Sequence, residues 1–388
     1  MSVVVNIKQN PKKTKKIGLK FLNGWLRTCN LCFGVPNQAY CLENYEGKED
    51  LRNQLLIIYN PKSLGRGFSF TIEENYDVEL VLNFPATKND IILFYKFIDL
   101  FCSNFKIKTF IHEGEEYSLD KIESLMNATI AFNKKLVKND LESDLTIFGC
   151  IYPIVLEKDF IKKIKQLNED EAYQLYEEYL NKKQKEDYYF AKPIIYEDKN
   201  KKYYAKYALT ENVPTIFPIE TYLPFGYDQN LEKNIKTWNV SLIENKNGKF
   251  DLLDEISYDN FCKLVDLSKY PKFDEKHIII TFNQDILEKT DKYLIEKAKI
   301  DLENWLSDIR ELGRKPVKIE YTNTFEENGI KCYIFKYKKT LLSKWFLGIV
   351  SDSGTFSEMK EYNKNTEVED AKRIIKLLQE IWKKTVDN

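Results

Sequence analysis

The chain holds two histidines, His112 and His277, and any chemistry that needs an imidazole would have to use one of them. Hydrolases with a histidine base, most zinc hydrolases and histidine-dependent nucleases all need an imidazole held against a second reacting group. His112 precedes Glu113-Gly114-Glu115 in a predicted turn and should face solvent. His277 opens an apolar run and should sit at the wet end of a strand. Catalysis demands far more than presence, so both are expected to be structural. The seven cysteines contain one suggestive spacing, Cys29-Asn30-Leu31-Cys32, followed by Cys41. Zinc needs four ligands and no second pair stands nearby, while a redox pair would open a helix after a strand. Reduced, half-buried thiols are the expectation, with no metal and no cofactor.

Anion recognition is the next chemistry to weigh. Gly65-Arg66-Gly67 lacks the spacing of a phosphate-binding loop and should form a tight turn with one glycine at positive φ. An arginine held between glycines could still grip a phosphate or an acidic partner. Tyr59, Asn60, Lys62 and Arg66 are expected to cluster at one sheet edge and form a binding site. Tyr333, Lys336 and Lys338 interleave an aromatic with bases, as a nucleic-acid-binding sheet would, although a strand with one wet and one buried face alternates in the same way. The carboxylates Glu113, Glu115, Glu116 and Asp120 read as a solvated turn, since a glycosidase pair is defined by spatial separation. Ser351-Asp352-Ser353-Gly354 lacks the glycine two residues before a nucleophilic serine, and reads as a cap or turn. No catalytic residue is assigned.

Bulk properties remove other classes. Lysine plus arginine total 59 against 60 for aspartate plus glutamate, so no global basic field draws the chain to nucleic acid. No apolar run approaches the roughly 18 residues of a membrane span. The first ten residues lead into the basic stretch Lys12 to Lys16 without an apolar signal core, and the reading is a cytoplasmic protein with no membrane partner.

Elements that must carry these residues follow from periodicity. Leu55 to Phe84 contains three strand-length runs between turn signals, a meander at the centre of a sheet, with Phe68, Phe70 and Ile72 alternating against Ser69 and Thr71. Thr87 and Asp90 form an approximate capping pair before a buried helix from Ile91 to Cys102. Ser118 should cap a second helix, and Asn168 should break a charged, tyrosine-rich pair of helices between Phe160 and Glu186. From Tyr188 the pattern turns to period two, with Asn247-Gly248 as a hairpin signal. A boundary is placed near Asn283. Beyond it come a long helix stopped by Gly313, strands with an Asn328-Gly329 turn, and a final helix opened by Thr366-Glu367-Val368-Glu369. The expected class is α+β: mainly antiparallel sheets with packed helices over 1–282, with a possible subdivision near 157–187, and a smaller helix-strands-helix module over 283–388.

Tyr59-Asn60-Pro61, Gly65-Arg66-Gly67-Phe68 and Pro85-Ala86-Thr87 with the following helix resemble an uncharacterised family of low-GC bacteria, known only as a domain of unknown function, over residues 1–282. The tail, with Tyr333 to Tyr337, Trp345 to Val350, Gly354-Thr355-Phe356 and the Glu369-to-Trp382 helix, is similar to small modules of unannotated bacterial proteins, some near toxin or immunity genes. Neither resemblance supplies a catalytic residue. The resulting expectation is a non-enzymatic interaction protein, an immunity or inhibitor factor that neutralises a toxin or a defence nuclease such as a CRISPR-type effector. The alternatives are a ligand-binding protein or histidine-independent enzyme using an interdomain cleft, and an RNA-binding protein.

Overall fold

A computed structural model describes residues 1–9, 17–37, 41–199, 201–224, 227–308, 316–327, 330–351 and 354–386. Lys12 to Lys16, Gly313, Asn328-Gly329 and Asp352-Ser353 lie outside the described residues. The fold is α+β, and the chain divides into two compact units, Met1–Phe282 and Asn283–Asn388.

The first unit is built on an eight-stranded sheet. Its strands are β1 (Ser2–Ile7), β2 (Cys32–Pro36), β3 (Leu42–Glu43), β4 (Leu56–Asn60), β5 (Ser63–Ile72), β6 (Val78–Asn83), β7 (Thr109–His112) and β8 (Glu115–Ser118), in the order β3-β2-β4-β5-β6-β1-β7-β8. Neighbours are antiparallel throughout. The expected meander is β4-β5-β6, and β1 pairs beside it with Val5 opposite Leu80. Because strand side chains alternate, Leu56, Ile58, Phe68, Phe70, Ile72, Val78, Leu80 and Leu82 fall on one face and are all buried.

Five helices belong to this part of the unit: α1 (Leu19–Thr28), α2 (Lys88–Phe105), α3 (Ile122–Asn139), α4 (Lys158–Gln166) and α5 (Glu169–Lys185). In α2, Phe94, Phe97, Ile98 and Phe101 recur at helical spacing and bring an aromatic stripe onto the sheet. Phe97 lies 5.1 Å from the Phe68 ring, 5.9 Å from Phe70 and 5.1 Å from Trp25 of α1. Burying each of these rings contributes roughly 1.5–3 kcal/mol, which makes α2 the anchor of the core. Asn168 does break the tyrosine-rich segment, capping α5 in a reciprocal box with Glu171. Ser118 caps only a short 3₁₀ turn and makes no side-chain cap bond, so α3 starts later than the serine suggests.

Strands β9 (Thr146–Phe148) and β10 (Pro153–Val155) form a small hairpin. Farther on, Ile235–Lys246 and Lys249–Ser257 pair across Asn247-Gly248, as the turn signal requires, with both residues at positive φ. In the second unit, strands Lys318–Glu327, Ile330–Lys338, Phe346–Ser351 and Gly354–Glu361 make one antiparallel sheet. Helix Gln284–Asp308 packs on Phe335, Tyr337 and Val350, whereas the final helix, Glu367–Val386, buries Ala371 and Ile375 against Cys332, Ile334, Leu347 and Ile349.

Candidate functional site

The Gly65-Arg66-Gly67 triplet is not a turn; it lies inside β5. Between the pairs Ile58–Phe68 and Asn60–Ser63, the segment Leu64 to Gly67 bulges opposite Tyr59 alone. The excursion exists because the backbone wraps an anion from its own chain. Asp90 Oδ2 accepts the Arg66 N–H at 2.9 Å and Oδ1 accepts the Gly67 N–H at 2.9 Å. Oδ2 also takes the Thr87 N–H and hydroxyl, while Thr87 Oγ1 accepts the Asp90 N–H, completing the capping box of α2. A Cβ on Gly65 would collide with the Asp90 carboxylate, and Gly67 sits at φ +65° where a Cβ would collide with the Ile58 carbonyl oxygen. Burial pushes the Asp90 carboxyl upward from its ordinary range against the pull of these bonds. The loop is a nest already filled by a carboxylate of the same chain.

The Arg66 side chain goes elsewhere. Its Nε donates to the Phe148 carbonyl at 3.2 Å and its Nη1 to the Pro85 carbonyl at 3.1 Å. Both acceptors are fixed by further bonds. Pro85 follows a cis peptide bond, and its carbonyl also receives the Tyr176 hydroxyl at 3.0 Å. Ala86 is held through N–H and carbonyl by the Asn133 amide, with the Tyr173 hydroxyl as an additional donor. Past Phe148, Gln184 of α5 clamps the β9–β10 turn by accepting from Ile151 and Tyr152 and donating to the Tyr152 carbonyl, and Cys150 N–H reaches Gly65 O at 2.9 Å.

This framework leaves Arg66 as a half-buried cation whose Nη2 has no partner among the described residues, and burial lowers the pKa of the guanidinium. Arg66 lines a cavity of about 350 Å³ between β4, β5 and β9. Apolar walls come from Ile57, Phe84 and Ile147, and Ser69 and Thr146 add hydroxyl-bearing residues. Leu55 and Leu145, 42% and 40% exposed, stand at the same cavity. A fork of N–H donors set in apolar walls is suited to a carboxylate or phosphate on a small apolar body.

Across residues 2–289 the sequence matches a family described as a domain of unknown function, DUF4299. The chain belongs to the DUF4299 family. No curated protein and no solved structure matches it. The DUF4299 region contains the whole Arg66 framework.

The remaining candidates separate. Tyr59 is half-buried within β4, where burial raises its pKa. Asn60 accepts the Lys62 N–H at 2.9 Å and shapes the β4–β5 turn, with Lys62 exposed at its tip. Since β4 lies inside the sheet, the expected edge cluster does not form, and no hydrogen bond or ion pair joins these three to Arg66 among the described residues. In the second unit, Tyr333 lies on the sheet face packed by helix Gln284–Asp308, while Lys336 and Lys338 lie on the other face with Trp345. An odd separation along a strand puts 333 and 336 on opposite sides, so they make no common site.

The histidines depart from both expectations. His112 is half-buried, with Nε2 2.8 Å from the Tyr95 hydroxyl, which also bonds Thr129. His277 is only 3% exposed; its Nδ1 lies 2.8 Å from Asp274 Oδ1 and its Nε2 2.7 Å from the Tyr222 hydroxyl. This Asp–His–Tyr chain has the connectivity of a proton relay, but Asp274 also accepts the Val155 and Lys276 N–H groups, and the pair is sealed in the core. It ties β10 to the segment before strand His277–Thr281. The sequence carried one signal for it, Asp274 three residues before His277, and none for Tyr222. The carboxylates Glu115, Glu116 and Asp120 are each taken by a neighbouring hydroxyl, and Glu113 by the Val4 N–H. Among the described residues there is no histidine, cysteine and carboxylate group able to hold a metal ion, and no helix long and apolar enough to cross a membrane.

Proposed function

We propose that the DUF4299 unit is a non-enzymatic binding protein that takes the carboxylate of a small amphipathic molecule on Arg66. The observation that carries this reading is a guanidinium with an unpaired nitrogen, no carboxylate partner and an apolar cavity beside it. Leaving such a group without an anion costs free energy that a carboxylate ligand recovers through charge-assisted hydrogen bonds. The volume is near the lower end for small-molecule sites, which suits a single short chain. Thermal unfolding of the full chain with a series of straight-chain carboxylates, and with the matching alcohols, tests it. The carboxylates raise the midpoint, the alcohols do not, and Arg66→Met erases the difference. No midpoint change with any carboxylate, or an equal one in the variant, removes the proposal.

A second reading, an inhibitor or immunity factor covering a toxin or nuclease effector, is favoured by one separate feature. Strand Lys249–Ser257 is an edge strand, yet it carries Phe250 and Leu252 at 64% and 54% exposure. Apolar side chains on an open edge suit a protein partner. Titration of purified toxins and nuclease effectors against wild type and Phe250→Ser/Leu252→Ser tests this reading, which requires a complex that the double variant cannot form.

A further inference from the structure

Leu341 and Leu342 are 77% and 99% exposed at the tip of the hairpin joining strands Ile330–Lys338 and Phe346–Ser351. The turn is held closed, with Ser343 N–H donating to Thr340 O at 3.1 Å and Thr340 N–H to Ser343 Oγ at 3.1 Å. It therefore presents two adjacent leucines to water by construction. A third apolar residue stands at the same sheet end: Val317, 51% exposed, donates its N–H to Lys338 O.

Beneath this tip lies a collar of cations. Lys318, Lys336 and Lys338 place their ammonium groups 5.5, 4.8 and 5.1 Å from the centre of the Trp345 ring. Register explains the convergence, since Lys318 pairs with Lys338 and Glu320 with Lys336 on one face. Glu320 bridges Lys318 and Lys336, and that contact holds its carboxyl down at about 2. Lys338 has no ion pair among the described residues. Among the described residues three cations stand against the Glu320 carboxylate at this ring, which leaves the collar positive.

We infer that this hairpin docks the second unit onto an anionic lipid surface, with Leu341 and Leu342 entering the acyl boundary and the lysine–tryptophan collar resting among the headgroups. An apolar tip above a basic, indole-bearing rim matches the layering of a bilayer interface, where tryptophan sits at headgroup level and lysine meets acidic lipid. A nucleic acid would use the cations but has no place for two solvent-facing leucines, and its bases would find the Trp345 ring already flanked by ammonium groups. Docking of this kind is peripheral, needs no spanning helix, and departs from the expectation of a protein without a membrane partner.

Co-sedimentation of the full chain with phosphatidylcholine vesicles, and with the same vesicles containing phosphatidylserine, tests the inference. Wild type sediments with the anionic vesicles, and less as salt rises. Leu341→Ser/Leu342→Ser weakens partition at least about tenfold, as expected when two leucines no longer leave water. Lys338→Glu weakens it as well, and the leucine variant keeps the wild-type melting curve because Leu341 and Leu342 are exposed. Failure to sediment with anionic vesicles overturns the inference. So does binding that survives the leucine change, or preference for single-stranded RNA or an acidic protein over vesicles, since the collar alone would then be at work.

Discussion

Arg66 donates its backbone N–H to Asp90 at 2.9 Å while its guanidinium turns away to two carbonyls, so an arginine and a buried aspartate lie together without forming a salt bridge. The division lets one carboxylate organise the β5 bulge and the start of α2 and leaves the cation available to the cavity. Asp90→Ala strands the N–H groups of Arg66, Gly67 and Thr87 in the interior. Each unmet donor costs about 1–3 kcal/mol, and the summed loss is expected to reach at least ~3 kcal/mol in urea unfolding. Amide exchange at Arg66 and Gly67 should accelerate, whereas a purely global loss would speed all core amides alike.

Glycine substitutions separate backbone necessity from mere composition. Gly67→Ala must adopt φ +65° and meet the Ile58 carbonyl, and Gly65→Ala must displace the Asp90 carboxylate. Both are expected to destabilise by more than ~1 kcal/mol. Gly24, inside α1, has nothing within 4 Å of where a Cβ would sit, so Gly24→Ala should stabilise by about 0.5–1 kcal/mol. Urea midpoints of the three variants give the comparison directly; equal effects at all three would contradict it.

Most local signals in the sequence held where the partner lay within a few residues, the Ser118 cap being an exception. The Thr87/Asp90 and Asn168 caps, the alternation through Phe68, Phe70 and Ile72, and the Asn247-Gly248 hairpin are all bonds or patterns of short range. Arg66 stood out in the sequence as a candidate, but its setting did not, because Phe148 lies 82 positions away and nothing near Arg66 announces it. The Gly-Arg-Gly triplet looked like a turn because glycines usually serve turns, whereas here Gly65 admits a carboxylate from α2 and Gly67 takes a positive φ beside the Ile58 carbonyl. The grouping of Tyr333 with Lys336 failed on strand parity, which the sequence did contain.

The Asp274–His277–Tyr222 chain should behave as a structural tie. Tyr222→Phe leaves His277 Nε2 without its 2.7 Å partner in a sealed site, an expected loss of about 1–3 kcal/mol. Asp274→Ala frees the Val155 and Lys276 N–H groups as well and should cost more. Measured in one double-mutant cycle, the two losses should be clearly non-additive, because both act through the same imidazole. Additive losses would mean that the three groups do not form one network.

Protonation of His112 gives a pH signature whose sign can be worked out. Burial lowers the His112 pKa below its ordinary value of 6.5, outweighing the nearby Glu113 and a backbone bond. Between the lowered value and 6.5 the unfolded chain therefore binds a proton that the folded chain refuses. Stability must rise with pH across that window and be lost as pH falls through it from 6.5 downward. The physical cause is burial of the imidazole, which lies stacked 6.0 Å from the Tyr95 ring. His112→Gln keeps a polar side chain but cannot titrate, so its urea midpoint should decline less than that of wild type between pH 7 and pH 5. Parallel profiles for the two proteins would show that His112 protonates equally well in the folded and unfolded chain, and would remove burial as the influence on it.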